Sequence, residues 1–553
     1  MARKSTESPT PGGVSTSRET ERKFSLGEGE DGDGGAGDRT ALPDLVGAGR
    51  VASVDDAVVH DMVAVYYDTA DLRLAREGIT LRRREGGSDE GWHLKLPVGA
   101  SSDRDELAVP LSDSGAPSEE GGLPNVPAVL TGLVTALVRI SPLGPVAELR
   151  THREVRVLRD AEGRALAEAA LDDVEVAVPA GAGEGSAGVV PGHFRELEVE
   201  LLDDGDDADL DAISDALVAA GAVLGAQVSK AKRALGAPAI APSDVPEPQE
   251  VGPHSTAADL VRAYTAEQVR ALRRHDLGVR RGEDDAVHQM RVAARRLRSG
   301  LRVFRPLLDR EWADDLRAEL AWLAGELGAA RDGEVLAERL SLALSALPAS
   351  VDATDAARLL QAHLAEQHRD GEAVALAALS SERYAALLDR LVDAASSPPT
   401  TEAAEGECCD VLPPLVKKAW KKLAREVSAL SMSGDDDSWH DARKTAKRVR
   451  YAAEAVAPAL GKPAKKFAKQ VERVTEVLGQ HQDAAVAADV LAHLATDRSR
   501  ALHLPRSAAA AAKVGFALGS LHAAQRAEVR LLRADLLDIW PEVSHGAHRA
   551  WLG

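Results

Sequence analysis

Between residue 17 and about residue 235 the chain is written in short runs that alternate apolar and polar positions. They are RETERKFSL (18–26), VAVYYDT (63–69), ITLRRREG (79–86), GWHLKLPV (91–98), DELAVPL (105–111), AELRTHREVRVL (147–158), ALAEAALDDVEVAV (165–178) and HFRELEVELL (193–202). A period of two places alternate side chains on opposite faces of a strand. Such runs, divided by turns, predict an antiparallel sheet or barrel. Two stretches of helical pattern are interspersed, VPAVLTGLVTALV (126–138) and DLDAISDALVAAG (209–221).

After the Pro-rich GAPAIAPSDVPEPQEVGP (236–253) the period changes, and everything reads as helix. HQMRVAARRLR (288–298) returns as HDARKTAKRVR (440–450), and LGAARD (327–332) returns as LGQHQD (478–483). An internal duplication predicts two similar helical bundles, joined by SSPPTTEAAEGE (396–407). The expected organisation is an α+β two-domain chain: a tail over 1–16, a β domain over 17–235 and a linker over 236–254. An all-α domain over 255–553 follows, with halves at about 255–395 and 410–553.

Charge sharpens this picture. In the first strand Glu19, Glu21 and Lys23 share a face; Arg82 and Arg84 do so in a later one, as do His93 and Lys95, Arg104 and Glu106, and Glu196, Glu198 and Glu200. One charged strand face is ordinarily wet. Six such strands, counting the one with Arg150 and Arg153, carry acids on the first and last and bases between, which points instead to a barrel with a polar interior. Such an interior places carboxylates for a divalent cation beside cations for phosphate oxygens. Arg150 and Arg153 differ in parity, so both point inward only across a bulge.

In the helical half, taking His288 as zero at about 100° per residue, Arg291, Arg295, Arg298, Arg302 and Arg305 fall within an arc of roughly 100°. Met290, Leu297, Leu301 and Phe304 lie opposite and predict the core face. His440, Arg443, Lys447 and Arg450 repeat the stripe. Like charges four residues apart repel, and the stripes carry no interleaved acids, so an external polyanion is the expected partner. Few Asn, Gln or aromatic side chains accompany them, which favours a phosphate chain without bases over nucleic acid.

The helical half resembles the CHAD family on HQMRVAARRLR with LGAARD and on HDARKTAKRVRY with LGQHQD. The resemblance implies paired four-helix bundles around a basic surface that binds inorganic polyphosphate. It assigns His288, Arg291, Arg295, Arg298, His440, Arg443, Lys447 and Arg450 to the ligand, with Asp435–Asp437 as an acidic departure. The first half resembles the CYTH family of triphosphate tunnel metalloenzymes. That resemblance rests on Glu-x-Glu-x-Lys at Glu19, Glu21 and Lys23, then on YYDT, LRRR, HLKLP, RDE, LDDV, ELEVE and SKAKRAL.

It implies an eight-stranded antiparallel tunnel that holds triphosphates with Mg²⁺ or Mn²⁺, hydrolysing tripolyphosphate or a related substrate. Adenylate cyclisation, thiamine triphosphate hydrolysis and a noncatalytic scaffold are the alternatives. By match, Glu19, Glu21, Asp172, Glu196 and Glu198 form the metal and water-activating set, with Lys23 beside them. Arg82, Arg84, Lys95, Arg104, Arg150, Arg153 and Lys230 hold the phosphates. SKAKRAL has Ala231 where the family usually has an aromatic residue, and His93 is expected to fill the wall.

Composition adds few constraints. The net charge of −21 is confined to residues 1–250, because residues 251–553 carry about 43 Lys and Arg against about 42 Asp and Glu. The only cysteines, Cys408 and Cys409, are adjacent. That excludes a disulfide framework and suits a reducing cytosol. With no second pair and no nearby His in the sequence, they do not predict a metal site. The opening MARKSTESPTPGG lacks the apolar run of a secretory signal, and no segment is apolar enough to span a membrane.

Overall fold

A computed structural model of the chain describes residues 15–25, 42–98, 104–111, 124–179, 189, 191–225, 228–496 and 507–553, the side chains of residues 19 and 329–332 excepted. The expected tail lies outside these residues save for Ser15 and Thr16, which open the first strand rather than belong to a tail. The acidic, Gly-rich stretch after Leu26 also lies outside them. The chain divides into two compact units, Met1–Asp244 and Val245–Gly553.

The first unit is one antiparallel sheet. Its strands are β1 (Ser15–Glu19), β2 (Glu21–Ser25), β3 (Ser53–Val54), β4 (Val58–Asp68), β5 (Thr80–Glu85), β6 (Gly91–Pro97), β7 (Arg104–Val109), β8 (Gly144–Arg159), β9 (Ala165–Ala177), β10 (Gly192–Leu201) and β11 (Val223–Leu224). Their order is β1-β7-β6-β5-β4-β8-β9-β10-β2-β11, with β3 on β8. Among the described residues eleven strands replace the expected eight. The opening segment is divided at Thr20, so that β1 pairs with β7 while β2 pairs with β10. Two further strands, β3 and β11, are only two residues long. One extended segment thus serves opposite ends of the sheet, which must curl.

Alternation decides which side chains face inward. Phe24, Leu197 and Val199 pack with Leu210, Ile213 and Leu217 of a covering helix. The helices of this unit are α1 (Arg73–Arg76), α2 (Ala128–Leu133), α3 (Thr135–Val138), α4 (Asp207–Ala219), which is that covering helix, and α5 (Lys230–Leu235). With their apolar neighbours committed to α4, Lys23, Glu196 and Glu198 have only the concave face. Further along that face Leu149, Val174, Val176 and Phe194 pack with Ala231, Ala234 and Leu235 of α5.

The second unit is helical throughout: α6 (Ala257–Arg280), α7 (Ala286–Val303), α8 (Arg310–Glu326), α9 (Gly328–Ser345), α10 (Thr354–Leu379), α11 (Glu382–Ser396), α12 (Cys408–Ala429), α13 (Asp436–Leu460), α14 (Lys462–Thr496) and α15 (Ala508–Val543). The two repeat motifs fall on α7 and α13. LGQHQD lies within the unbroken α14, whereas LGAARD spans the junction of α8 and α9. The first repeat is therefore divided more finely, α8 with α9 answering to α14. Leu340, Leu360, Leu491 and Leu518 of α9, α10, α14 and α15 share one core, so the repeats are fused through it. Among the described residues no helix is long and apolar enough to cross a membrane.

Met290, Leu297, Leu301 and Phe304 are all buried, as the periodicity predicts. Gly300 lets α6 approach α7: a Cβ there would lie 2.4 Å from the Tyr264 ring, whose hydroxyl donates to the Arg296 carbonyl (2.9 Å). Replacing Gly300 with Ala is expected to cost about 1–3 kcal/mol of stability, the usual penalty for overpacking. Thermal unfolding read against the parent chain checks this; an unchanged midpoint would show that α6 and α7 can separate freely.

Candidate functional site

On the concave face of the sheet, Asp172 of β9 and Glu196 and Glu198 of β10 converge so that one oxygen from each lies within 4.8 Å of the others. The Lys230 ammonium, at the first turn of α5, sits among them, 2.8 Å from Asp172, 2.5 Å from Glu196 and 2.7 Å from Glu198. Arg153 of β8 donates to both oxygens of Asp172 (2.7 Å each) and to Glu198 (2.5 Å). Lys23 of β2 bonds Glu198 and stands 3.2 Å from Glu21.

These groups are buried. Burial works against the charge on Glu198, but Lys23, Lys230 and Arg153 overcome it and hold the carboxyl well below its ordinary range. Asp172 is depressed likewise, against burial, by Lys230 and Arg153. Burial also opposes the charge on Glu21, and Lys23 again prevails. Lys23 and Lys230 are raised, since the carboxylates outweigh the burial that opposes their charge. Glu196 goes the other way: burial pushes it up.

A second cluster is basic. Glu106 of β7 receives Arg82 (3.5 Å), Lys95 (3.7 Å) and His93 (3.0 Å). Arg84 is buried and bonds Asp89; burial, Arg82 and Arg153 lower its pKa to about 9. Lys95 of β6 acts electrostatically on Glu21 of β2, although six pairings separate the two strands. That distance would be about 29 Å across a flat sheet at ~4.8 Å per strand. The curl therefore brings the acid-rich and basic walls to face each other.

The structure gathers Glu21, Lys23, Asp172, Glu196, Glu198, Arg153 and Lys230 in one group, with Arg82, Arg84 and Lys95 opposite. Ala231 in place of an aromatic residue does not displace Lys230. Arg150 is not brought in. The pairing of β8 with β9 is regular from Glu148 to Leu158, so with no bulge Arg150 lies on the outer face, largely exposed and bonded to Glu148 (3.0 Å). Arg104 donates to the Gly78 carbonyl (2.8 Å) at the β5 end. The Glu19 side chain lies outside the described residues. Glu106, which collects Arg82, Lys95 and His93, was visible in the sequence only as a spacing of two from Arg104.

In the second unit, α7 and α13 face one another. Arg295 bonds the Tyr451 hydroxyl and lies over its ring, 5.6 Å from the centroid. Burial and then Arg443, Arg295 and Arg291 lower the Lys447 pKa to about 7. Burial and neighbouring arginines, Arg295 foremost, also lower Arg298, and burial with Arg448 lowers Arg302. His440 meets Gln482 at 2.6 Å, Arg291 donates to the Gly328 carbonyl (3.2 Å), and His288 is half-buried on the same helix.

Acids outside the stripes, on the same helix or on another, hold their ends. Arg305 is held by Asp314 (2.9 Å), and Arg450 by Glu454 (2.7 Å) and Glu472 (2.5 Å). The basic path is thus less bare than the sequence suggested, since Asp483 of α14 also stands 3.9 Å from Arg443. The acids Asp435 and Asp436 do not intrude on it. Asp435 caps α13 through the Ser438 amide (2.6 Å), and Asp436 bonds Arg526 (2.6 Å) and Arg533 (2.5 Å) of α15.

Residues 43–235 match the family model described as the CYTH domain, and residues 263–492 match that of the CHAD domain. Two proteins of Mycobacterium tuberculosis, described as uncharacterized proteins MT2285 and Rv2226 and taken from two strains, are each 38% identical over 491 residues. That stretch is 86% of this chain and 88% of theirs. Among solved structures, PptA from Streptomyces chartreusis is 30% identical, covers 52% of this chain and 100% of its own, and has a TM-score of 0.43. The CHAD domain from the plant Ricinus communis is 25% identical, covers 55% of this chain and 95% of its own, with a TM-score of 0.41.

The lowered carboxylates stabilise the first unit above their ordinary values, 3.8 for Asp172 and 4.5 for Glu198, and that contribution is lost as pH falls through the folded-state values. Replacing Lys230 with Met leaves three buried carboxylates facing each other. The expected loss is about 3–5 kcal/mol at pH 7, shrinking as the pH is lowered and the carboxyls protonate. Denaturant unfolding of both proteins between pH 3 and 8, roughly the span over which carboxyls and His titrate, measures the difference. A loss independent of pH would refute the electrostatic account.

Proposed function

From a chain that belongs to the CYTH family in its first unit and to the CHAD family in its second, we propose a Mg²⁺- or Mn²⁺-dependent hydrolase of inorganic tripolyphosphate or a related triphosphate, joined to a domain that binds inorganic polyphosphate. The observation that carries this reading is the meeting of Asp172, Glu196 and Glu198 at one cation-sized point, occupied by the Lys230 ammonium, opposite a wall of Arg82, Arg84 and Lys95. An anion binder alone has no use for carboxylates in its site.

The donor set is all oxygen, which suits Mg²⁺ or Mn²⁺. Glu21, and Glu19 by its place in the same motif, would complete it. A divalent cation held there would supply neutralisation of the phosphate oxygens beside it. The chain's own residues do the rest. Lys23 and Lys230, now paired with carboxylates, turn to phosphate oxygens when the carboxylates acquire another cation. Arg82, Arg84, Lys95 and Arg153 hold the remaining phosphates and stabilise charge that accumulates as the terminal phosphoryl departs. Glu196, raised by burial, is suited to accept a proton from the attacking water. Arg104 reaches the same face from the β7 end, whereas Arg150 takes no part.

In the helical unit His288, Arg291, Arg295, Arg298, His440, Arg443 and Lys447 form the polyphosphate surface, with Arg450 at its neutralised margin. The lowering of Lys447 to about 7 supports this, because crowded cations gain from an added polyanion. Tethering such a surface to the hydrolase raises the substrate concentration that the latter meets.

Phosphate release from tripolyphosphate, ATP and thiamine triphosphate, with and without Mg²⁺ or Mn²⁺, tests the first half of the proposal. Divalent-dependent release is expected, strongest with tripolyphosphate, and Lys23→Met is expected to lower kcat/KM by about 100- to 1000-fold. No divalent-dependent turnover, with polyphosphate still bound, would leave a noncatalytic scaffold. For the second half, Arg291→Ala together with Arg443→Ala is expected to weaken polyphosphate binding about 100-fold, at ~1.5–3 kcal/mol for each charged hydrogen bond. Hydrolysis of tripolyphosphate should be unchanged; equal loss of both activities would overturn the division of labour.

A further inference from the structure

The adjacent cysteines acquire a context in three dimensions that their sequence neighbours do not provide. The segment entering α6 pairs with the segment entering α12: Ala257 donates to the Gly406 carbonyl, Cys408 to that of Ser255 and Cys409 to that of Pro253, each at 2.9 Å. Thr256 and Glu407 form an antiparallel bridge there. His254, 153 positions from Glu407 in sequence, is thereby fixed beside it, with its Nδ1 2.7 Å from the carboxylate. The Cys409 thiol lies 3.6 Å from the same oxygen. An imidazole nitrogen, a carboxylate oxygen and a thiol sulfur thus lie within 4.8 Å of one another. Cys408 points elsewhere: it is buried, and its thiol donates to the Thr256 carbonyl (3.4 Å).

We propose that His254, Glu407 and Cys409 bind a zinc ion, with solvent in a fourth position. Zinc takes sulfur, nitrogen and oxygen ligands tetrahedrally, at about 2.0–2.3 Å. A thiolate in the set selects against the hard cations suited to Asp172, Glu196 and Glu198. Backbone bonds on both sides hold the segments in register, so the three side chains converge without a costly search. The His254 and Glu407 side chains are open to solvent, which gives the ion a path in. Bound zinc would clip the start of the helical unit to the head of its second repeat. The site is independent of the proposed hydrolysis and of the basic surface.

The test uses the full-length chain and Co²⁺ as a spectroscopic probe, followed by Zn²⁺ competition. Co²⁺ is expected to give a thiolate-to-metal charge-transfer band, which an all-oxygen site does not produce, and Zn²⁺ should abolish it. Cys409→Ser should remove the band, Cys408→Ser should keep it, and His254→Ala should weaken Zn²⁺ binding by at least about tenfold, the cost of losing even an outer-shell partner. Should Cys408→Ser disturb folding, alkylation read by mass spectrometry serves instead: Zn²⁺ should protect Cys409 in the unaltered chain. The absence of a charge-transfer band, its survival in Cys409→Ser, or unprotected Cys409 would each overturn the proposal.

Discussion

Charge buried away from water has to be neutralised where it stands, and the first unit is arranged around that requirement. Leu197 and Val199 commit one face of β10 to the core under α4, which leaves Glu196 and Glu198 nowhere but the concave face. Their carboxylates, with Asp172, then need cations. Lys23 arrives from β2, Arg153 from β8, and Lys230 from α5, whose apolar residues dock on the same face. Docking of α5 and compensation of the carboxylates are accordingly one structural event. Removing the ammonium leaves the apolar contacts in place but turns the cluster against itself.

The helical unit meets a related problem with the opposite balance. Burial, and then repulsion among the arginines along α7 and across to α13, lowers Arg298, Arg302 and Lys447. Acids temper the cationic path at its ends, Asp314 of α8 at Arg305 and, at Arg450, Glu454 of the same helix with Glu472 of α14. Its extent is therefore set in part by residues outside either stripe. Excess charge kept at this expense fits the anion-binding role proposed for the surface.

The sequence carried the strand faces well, because a period of two leaves little freedom once one face is committed to a core. Glu21, Lys23, Glu196 and Glu198 could be placed on the inner face for that reason, and the family resemblance added Asp172. Parity also exposed the conflict between Arg150 and Arg153, and the regular register of β8 resolves it in favour of Arg153. What alternation does not encode is the meeting of distant segments. Glu106 as a hub for Arg82, His93 and Lys95, Glu472 at Arg450, and His254 beside Cys409 all depend on pairings across the fold. The strand count differed for local causes: Thr20 divides one extended run between two neighbours, and β3 and β11 are pairings only two residues long. The break at Leu327, which splits one helix of the first repeat, likewise has no signal in the repeat motifs.

The two balances imply two kinds of ligand. In the first unit acids and bases already satisfy each other, so a bare phosphate chain gains little there: each oxygen it offers to Lys23 or Lys230 strips a carboxylate of its partner. An anion that arrives with a cation leaves the account of charge unchanged, since the cation replaces the lysines and the lysines turn to the anion. The second unit needs no such exchange, because its cations repel before anything binds. Under the proposed function a divalent cation would belong to binding in the sheet and be superfluous on the helices, where it would compete with the arginines for the same oxygens. The net charge of −21 predicts neither behaviour, for both depend on which charges burial forces together.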